Sequence, residues 1–180
     1  AREKGLRLEV ELGQGMPGRV LGDGGRVRQV LFNLIGNAVK YTDSGRVTVR
    51  VTSRSLSDER VALSVEVEDT GIGIAPDDLA RVWDRFTQVH DGVQWRAAGT
   101  GLGLAISRHL VDLMGGTLDA RSEVGKGSVF TLGLTLRLAS QGDDEAEGGE
   151  LPPLPAARVL VAEDNPVNRK VTLAMLDHLG

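Results

Sequence analysis

The sequence predicts an α/β two-layer sandwich: a mixed, mostly antiparallel sheet with helices on one face. Three observations carry this. Alternating apolar positions recur at 6–12, 47–51, 61–67 and 130–138, each with the period of a strand. Helical periodicity over 24–41 and 101–114 interrupts them, and several strands follow one another as hairpin-like pairs.

Leu6, Leu8, Val10 and Leu12 alternate with polar residues, as in a half-buried strand, and Gly13–Gly18 breaks it. Asp23 is placed to cap a helix over 24–41, whose Val27, Val30, Leu31, Leu34 and Ala38 keep helical spacing. Thr42–Gly45 is a turn. Val47, Val49 and Val51, then Val61, Leu63, Val65 and Val67, form an antiparallel pair around a polar loop. Ala75-Pro76-Asp77-Asp78 opens a short helix, with Pro in the first turn and acids that suit the dipole. Residues 87–99 show no period and read as a loop. The helix over 101–114 ends at Gly115-Gly116. A short strand over 117–121, a turn over 123–127 and a long strand through Phe130, Leu132, Leu134, Leu136 and Leu138 complete the domain.

Composition bounds the function classes. Aromatic residues make up only 3%, so Val, Leu, Ile and Ala must supply the core. There is no cysteine, which excludes disulfides and thiolate metal sites. No apolar run approaches a membrane span and no signal-peptide pattern opens the chain. Asp143, Asp144, Glu145, Glu147 and Glu150 fall within residues 139–157; without them the net charge of −4 becomes +1. The folded parts are therefore nearly neutral, and no basic stripe points to nucleic acid. The same stretch holds Leu151-Pro152-Pro153-Leu154-Pro155 and reads as an acidic, proline-rich linker between a domain over 1–138 and a restarted strand–helix pattern over 158–180.

Four short stretches carry chemistry: NLIGNAVKYT (33–42), DTGIG (69–73), WDRF (83–86) and GTGLGL (99–104). Asn33, Asn37, Lys40 and Tyr41 share one helix face, about a quarter turn from the apolar stripe. An amide oxygen suits a hard cation such as Mg²⁺, an ammonium suits phosphate, and a phenol ring suits a base. Taken alone, the same face also describes the polar border of a surface helix. Asp69 at a strand end can accept from an exocyclic amine, with Gly71 and Gly73 letting backbone approach a flat ring; alone, DTGIG is also an ordinary Asp-Gly turn. GTGLGL opens a helix, where exposed N–H groups favour an anion. Its Gly99, Gly101 and Gly103 alternate, and Leu104 stands where a dinucleotide fingerprint needs glycine. Gly125-Lys126-Gly127-Ser128 is not a P-loop, since Ala120 replaces its first glycine and Gly127 its Ser or Thr position.

In order and spacing these stretches resemble the ATP-binding catalytic domain of sensor histidine kinases, in the Bergerat-type superfamily shared with gyrase and mismatch-repair ATPases. The resemblance covers residues 1–138. It implies that Asn37 ligates Mg²⁺ with Asn33 beside it, that Lys40 meets phosphate and Tyr41 the base, and that Asp69 binds the adenine amine with Gly71 and Gly73 lining the ring. Trp83 to Phe86 would anchor an ATP lid over 87–100, and Gly99, Thr100, Gly101, Leu102 and Gly103 would form the triphosphate loop. Thr131 matches a threonine found near adenine. Gln88 stands where many relatives place an arginine near the γ-phosphate, a charge Arg96 would supply instead. Gyrase-like relatives carry a glutamate base at the position of Asn33, and an amide cannot take that proton. The pattern therefore implies ATP held for transfer. A degenerate nucleotide-binding regulatory module is the alternative.

His90, His109 and His178 lack the context of a phosphoacceptor, so that histidine is expected on a dimerisation domain preceding residue 1, the parent being a homodimer. Residues 157–180 resemble the first strand and helix of a response-regulator receiver domain, an incomplete flavodoxin-like segment. Glu163 and Asp164 would belong to its Mg²⁺ site. The resemblance thus implies a hybrid kinase that uses ATP and Mg²⁺, partners a histidine-bearing domain and a receiver or response regulator, and works in the cytoplasm, a placement compatible with a membrane-anchored parent.

Overall fold

A computed structural model of the chain describes residues 4–84 and 101–140. In chain order the elements are β1 (Arg7–Leu12), β2 (Val20–Leu21), α1 (Gly24–Tyr41), β3 (Arg46–Ser55), β4 (Arg60–Asp69), α2 (Pro76–Leu79), α3 (Gly103–Leu113), β5 (Thr117–Glu123) and β6 (Gly127–Leu138). The described residues up to Ala139 make one compact unit. The receiver-like segment lies outside the described residues.

The strands form one sheet in the order β1-β3-β4-β6. The far edge of β6 carries β5 along its first half and β2 at its end. β1 runs parallel to β3, and every other pairing is antiparallel. The expected two-layer, mostly antiparallel arrangement is the one observed.

Period-2 alternation sorts the sheet into two faces. On the inner face the register aligns Val51, Val65, Leu132 and Leu118 in one row and Val49, Val67, Phe130 and Ala120 in the next. α1 covers these rows with Val30, Leu34 and Ala38, and α3 adds Val111. Asp23 starts α1 as its spacing predicts: its Oδ1 accepts from the backbone N–H of Arg26 at 3.0 Å. Trp83 and Phe130 meet edge to face, with centroids 6.1 Å apart, and the Arg108 guanidinium of α3 lies 5.3 Å over the Trp83 ring.

β1 departs from its expected burial. Leu8, Val10 and Leu12 share the inner face with Val47, Val49 and Val51, yet are 52%, 64% and 71% exposed. β1 is the sheet edge, and α1 lies over β3 and β4 instead. On the outer face Arg50 of β3 stitches the edge down by donating to Glu11 at 2.8 Å and to Glu66 of β4 at 3.2 Å. β2 has no counterpart in the sequence pattern, being only two residues long.

Candidate functional site

The inner face ends in a row of different chemistry. The register continues past the apolar rows to Val47, Asp69, Ser128 and Ser122, on β3, β4, β6 and β5. Three polar side chains thus stand side by side where the hydrophobic core stops. Asp69 is 6% exposed. Its Oδ1 accepts from the Gly71 N–H at 2.8 Å. Burial pushes its carboxyl above the ordinary 3.8, Glu68 adds to the rise, and the N–H groups of Gly71 and Ser128 oppose it. A buried carboxylate with spare lone pairs is a strong acceptor awaiting a donor.

The DTGIG loop is clamped from both sides. The Ile72 N–H donates to the Tyr41 carbonyl at the end of α1, 3.3 Å away. A Cβ at Gly71 would collide with that same carbonyl. On the other side Gly125 N–H donates to the Ile72 carbonyl at 2.8 Å, and Ile74 N–H to Ser122 Oγ at 2.7 Å. Gly73 has φ +71°, and a Cβ there would run into the Glu123 carbonyl, so only glycine fits.

The polar face of α1 leads away from this loop. Tyr41 is 39% exposed, and the Lys40 ammonium sits 4.8 Å over its ring. Lys4 Nζ donates to the carbonyls of Val39 (3.1 Å), Lys40 (2.8 Å) and Thr42 (3.2 Å), closing the helix C-terminus from outside. Asn37 is half-buried, and its side-chain amide makes no hydrogen bond to another described residue. Asn33 faces α3: its Nδ2 donates to Ser107 Oγ at 2.9 Å, and a Cβ at Gly103 would overlap its Oδ1. Gly103 thus lets α3 approach α1 closely. Gly101, with φ +65°, precedes Leu102 at the N-cap of α3, where no side chain caps the helix.

The structure therefore brings together Asn33, Asn37, Lys40, Tyr41, Asp69, Gly71, Gly73, Gly101, Leu102 and Gly103 around α1 and its two flanking loops. It does not bring Thr131 there. Thr131 pairs with Glu66 and Asp119 on the outer face, because it differs in parity from Phe130 and Leu132. Ser128, two residues before Phe130, holds the inner position beside Asp69. Alternation counted back from Phe130 would have found it. Ser122 and Ser107 were also missed; each is an ordinary serine until its neighbours are known. Phe86, Gln88, Arg96, Gly99 and Thr100, and Glu163 and Asp164, lie outside the described residues. Among the described residues no three His, Cys, Asp or Glu side chains gather to hold a metal.

Comparison with known proteins gives the family. Residues 22–139 match the family of histidine kinase-, DNA gyrase B- and HSP90-like ATPases, and the chain belongs to that family. It is 45% identical over 181 residues to the aerobic respiration control sensor protein ArcB of Escherichia coli (strain K12), covering all of this chain and 23% of that protein. It is 43% identical over 185 residues to the sensor histidine kinase AruS of Pseudomonas aeruginosa, covering all of this chain and 18% of that one. The crystal structure of full-length ShkA in complex with AMPPNP matches at TM-score 0.62 and 36% identity, over 78% of this chain and 27% of that chain. The chain spans about a fifth of the length of these curated relatives.

Proposed function

We propose that this chain is the ATP-binding catalytic part of a hybrid sensor histidine kinase, donating the γ-phosphate to a histidine on a dimerisation domain outside it. The observation that carries this reading is the buried Asp69 carboxylate at the end of an apolar sheet, with the polar face of α1 running from it to the start of α3. From Asn33 to Tyr41 is eight residue steps, about 12 Å of helix, a length suited to an extended nucleotide.

Adenine sits at the Asp69 end, its amine donating to the carboxylate. Tyr41 flanks the base, and Lys40 turns from its ring to phosphate. The triphosphate lies toward Gly101, Leu102 and Gly103, with Arg96, Gly99 and Thr100 assigned there by the resemblance. The side-chain amide of Asn37, half-buried on the polar face of α1, fits Mg²⁺ that arrives with the nucleotide. Mg²⁺ would neutralise charge on the phosphates. Transfer breaks the bond from γ-phosphorus to the ADP oxygen and forms one to an imidazole nitrogen, ADP leaving with the electron pair. Asn33 supports transfer over hydrolysis: an amide held by Ser107 is no base for water.

Glu163 and Asp164 would serve a receiver's Mg²⁺ site, so the phosphoryl group would pass on to an aspartate of a receiver or response regulator. Among the described residues no helix is long and apolar enough to cross a membrane. The need for ATP supports a cytoplasmic setting.

The test supplies Mg²⁺, γ-labelled ATP and a cognate histidine-bearing domain. Acid-labile, base-stable label on that domain is expected. ATP binding with no label would contradict the kinase reading and leave a nucleotide-sensing module.

A further inference from the structure

We infer that Ser122 is a positioning residue that sets the purine selectivity of this site, by holding the Ser128 hydroxyl so that its oxygen only accepts. The inference rests on the nucleotide-site reading above. It comes from counting protons. Ser122 Oγ accepts from the Ile74 N–H at 2.7 Å and donates its single proton to the Gly127 carbonyl at 2.9 Å. The Ser128 hydroxyl lies 2.9 Å from Ser122 Oγ. With the Ser122 proton engaged, Ser128 must be the donor in that contact. What remains on Ser128 Oγ is lone pairs.

Ser128 is 6% exposed and is the register partner of Asp69. The pocket end therefore presents two acceptors, a carboxylate and a hydroxyl oxygen, and no hydroxyl donor. An exocyclic amine satisfies such a pair. A ring carbonyl at the same position meets lone pairs on both and finds no proton. Ser122 itself is occupied by Ile74, Gly127 and Ser128, so it acts through Ser128 and need not touch the base. Its bond to Ile74 also ties the end of the DTGIG loop to β5.

The test compares ADP and IDP binding by calorimetry; the two nucleotides carry an amine and a carbonyl, respectively, on the same ring carbon. Wild type should favour ADP. In Ser122→Ala the Ser128 hydroxyl is free to turn and donate, so the ADP-to-IDP preference should fall roughly tenfold, about one hydrogen bond. Ser122→Thr keeps a hydroxyl and should restore the preference. Ser128→Ala removes the acceptor without touching Ile74 or Gly127, and alone must also lower the preference. In that background Ser122→Ala should change it no further. Equal weakening toward both nucleotides in Ser122→Ala would mean a merely structural role and overturn the inference. So would an unchanged preference in Ser128→Ala, even where Ser122→Ala fails to fold. Wild type that binds neither nucleotide would instead overturn the nucleotide-site reading, and the inference with it.

Discussion

The carboxamide of Asn33 reaches from α1 to α3, donating to Ser107 Oγ at 2.9 Å while its Oδ1 occupies the space left by the missing side chain of Gly103. A residue in the polar stripe of the first motif thus packs into the space left by a glycine of the last. The contact makes the two stretches one unit, although 70 residues separate them.

Gly103→Ala should therefore destabilise the domain by about 1–3 kcal/mol, the usual range for overpacking. The cause is local, so Asn33→Ala, which clears the space, should recover part of the loss. Urea denaturation of the two single variants and the double variant reads the coupling directly.

Asp69 sets stability against function. Its carboxyl titrates above the ordinary 3.8, so between those two values the folded chain binds more proton than the unfolded one. Stability is greatest below the ordinary value and is lost as pH rises through the raised one. At neutral pH the ionised group opposes folding. Asp69→Asn should accordingly stabilise the nucleotide-free domain, by about 1 kcal/mol, while weakening ADP binding. In the wild type ADP affinity should fall on acidification toward the raised value, as the acceptor becomes protonated. Thermal melts and calorimetry across pH check both signs.

Thr42 is fully buried at the C-cap of α1, and its hydroxyl has no partner among the described residues. Thr42→Val replaces that hydroxyl with a methyl group of similar size. The variant should be more stable by about 1 kcal/mol, the penalty for an unsatisfied buried group, a shift visible in its thermal midpoint.

Most of the fold was legible because its signals are local. Asp23 and the spacing Val30, Leu34, Ala38 mark α1, and alternating valines mark β3 and β4. Burial of β1 was not legible, since whether Leu8, Val10 and Leu12 meet a helix depends on which strands α1 covers. The adenine end shows the same divide. Asp69 was found from its glycines, while Ser128 was passed over for Thr131 despite the parity set by Phe130. Ser122 and Ser107 gain meaning only from partners distant in the chain, which no local pattern records.

The central claim is a pocket for a Mg²⁺-bound adenine nucleotide along the polar face of α1. Calorimetric titration with AMPPNP, with Mg²⁺ and with a chelator, on wild type and Asn37→Ala tests it most directly. Binding should require Mg²⁺ and fall at least about tenfold when the free amide is removed, as for loss of one ligand-held contact. Binding that is indifferent to Mg²⁺ and to Asn37→Ala, or no binding by folded wild type, would contradict it.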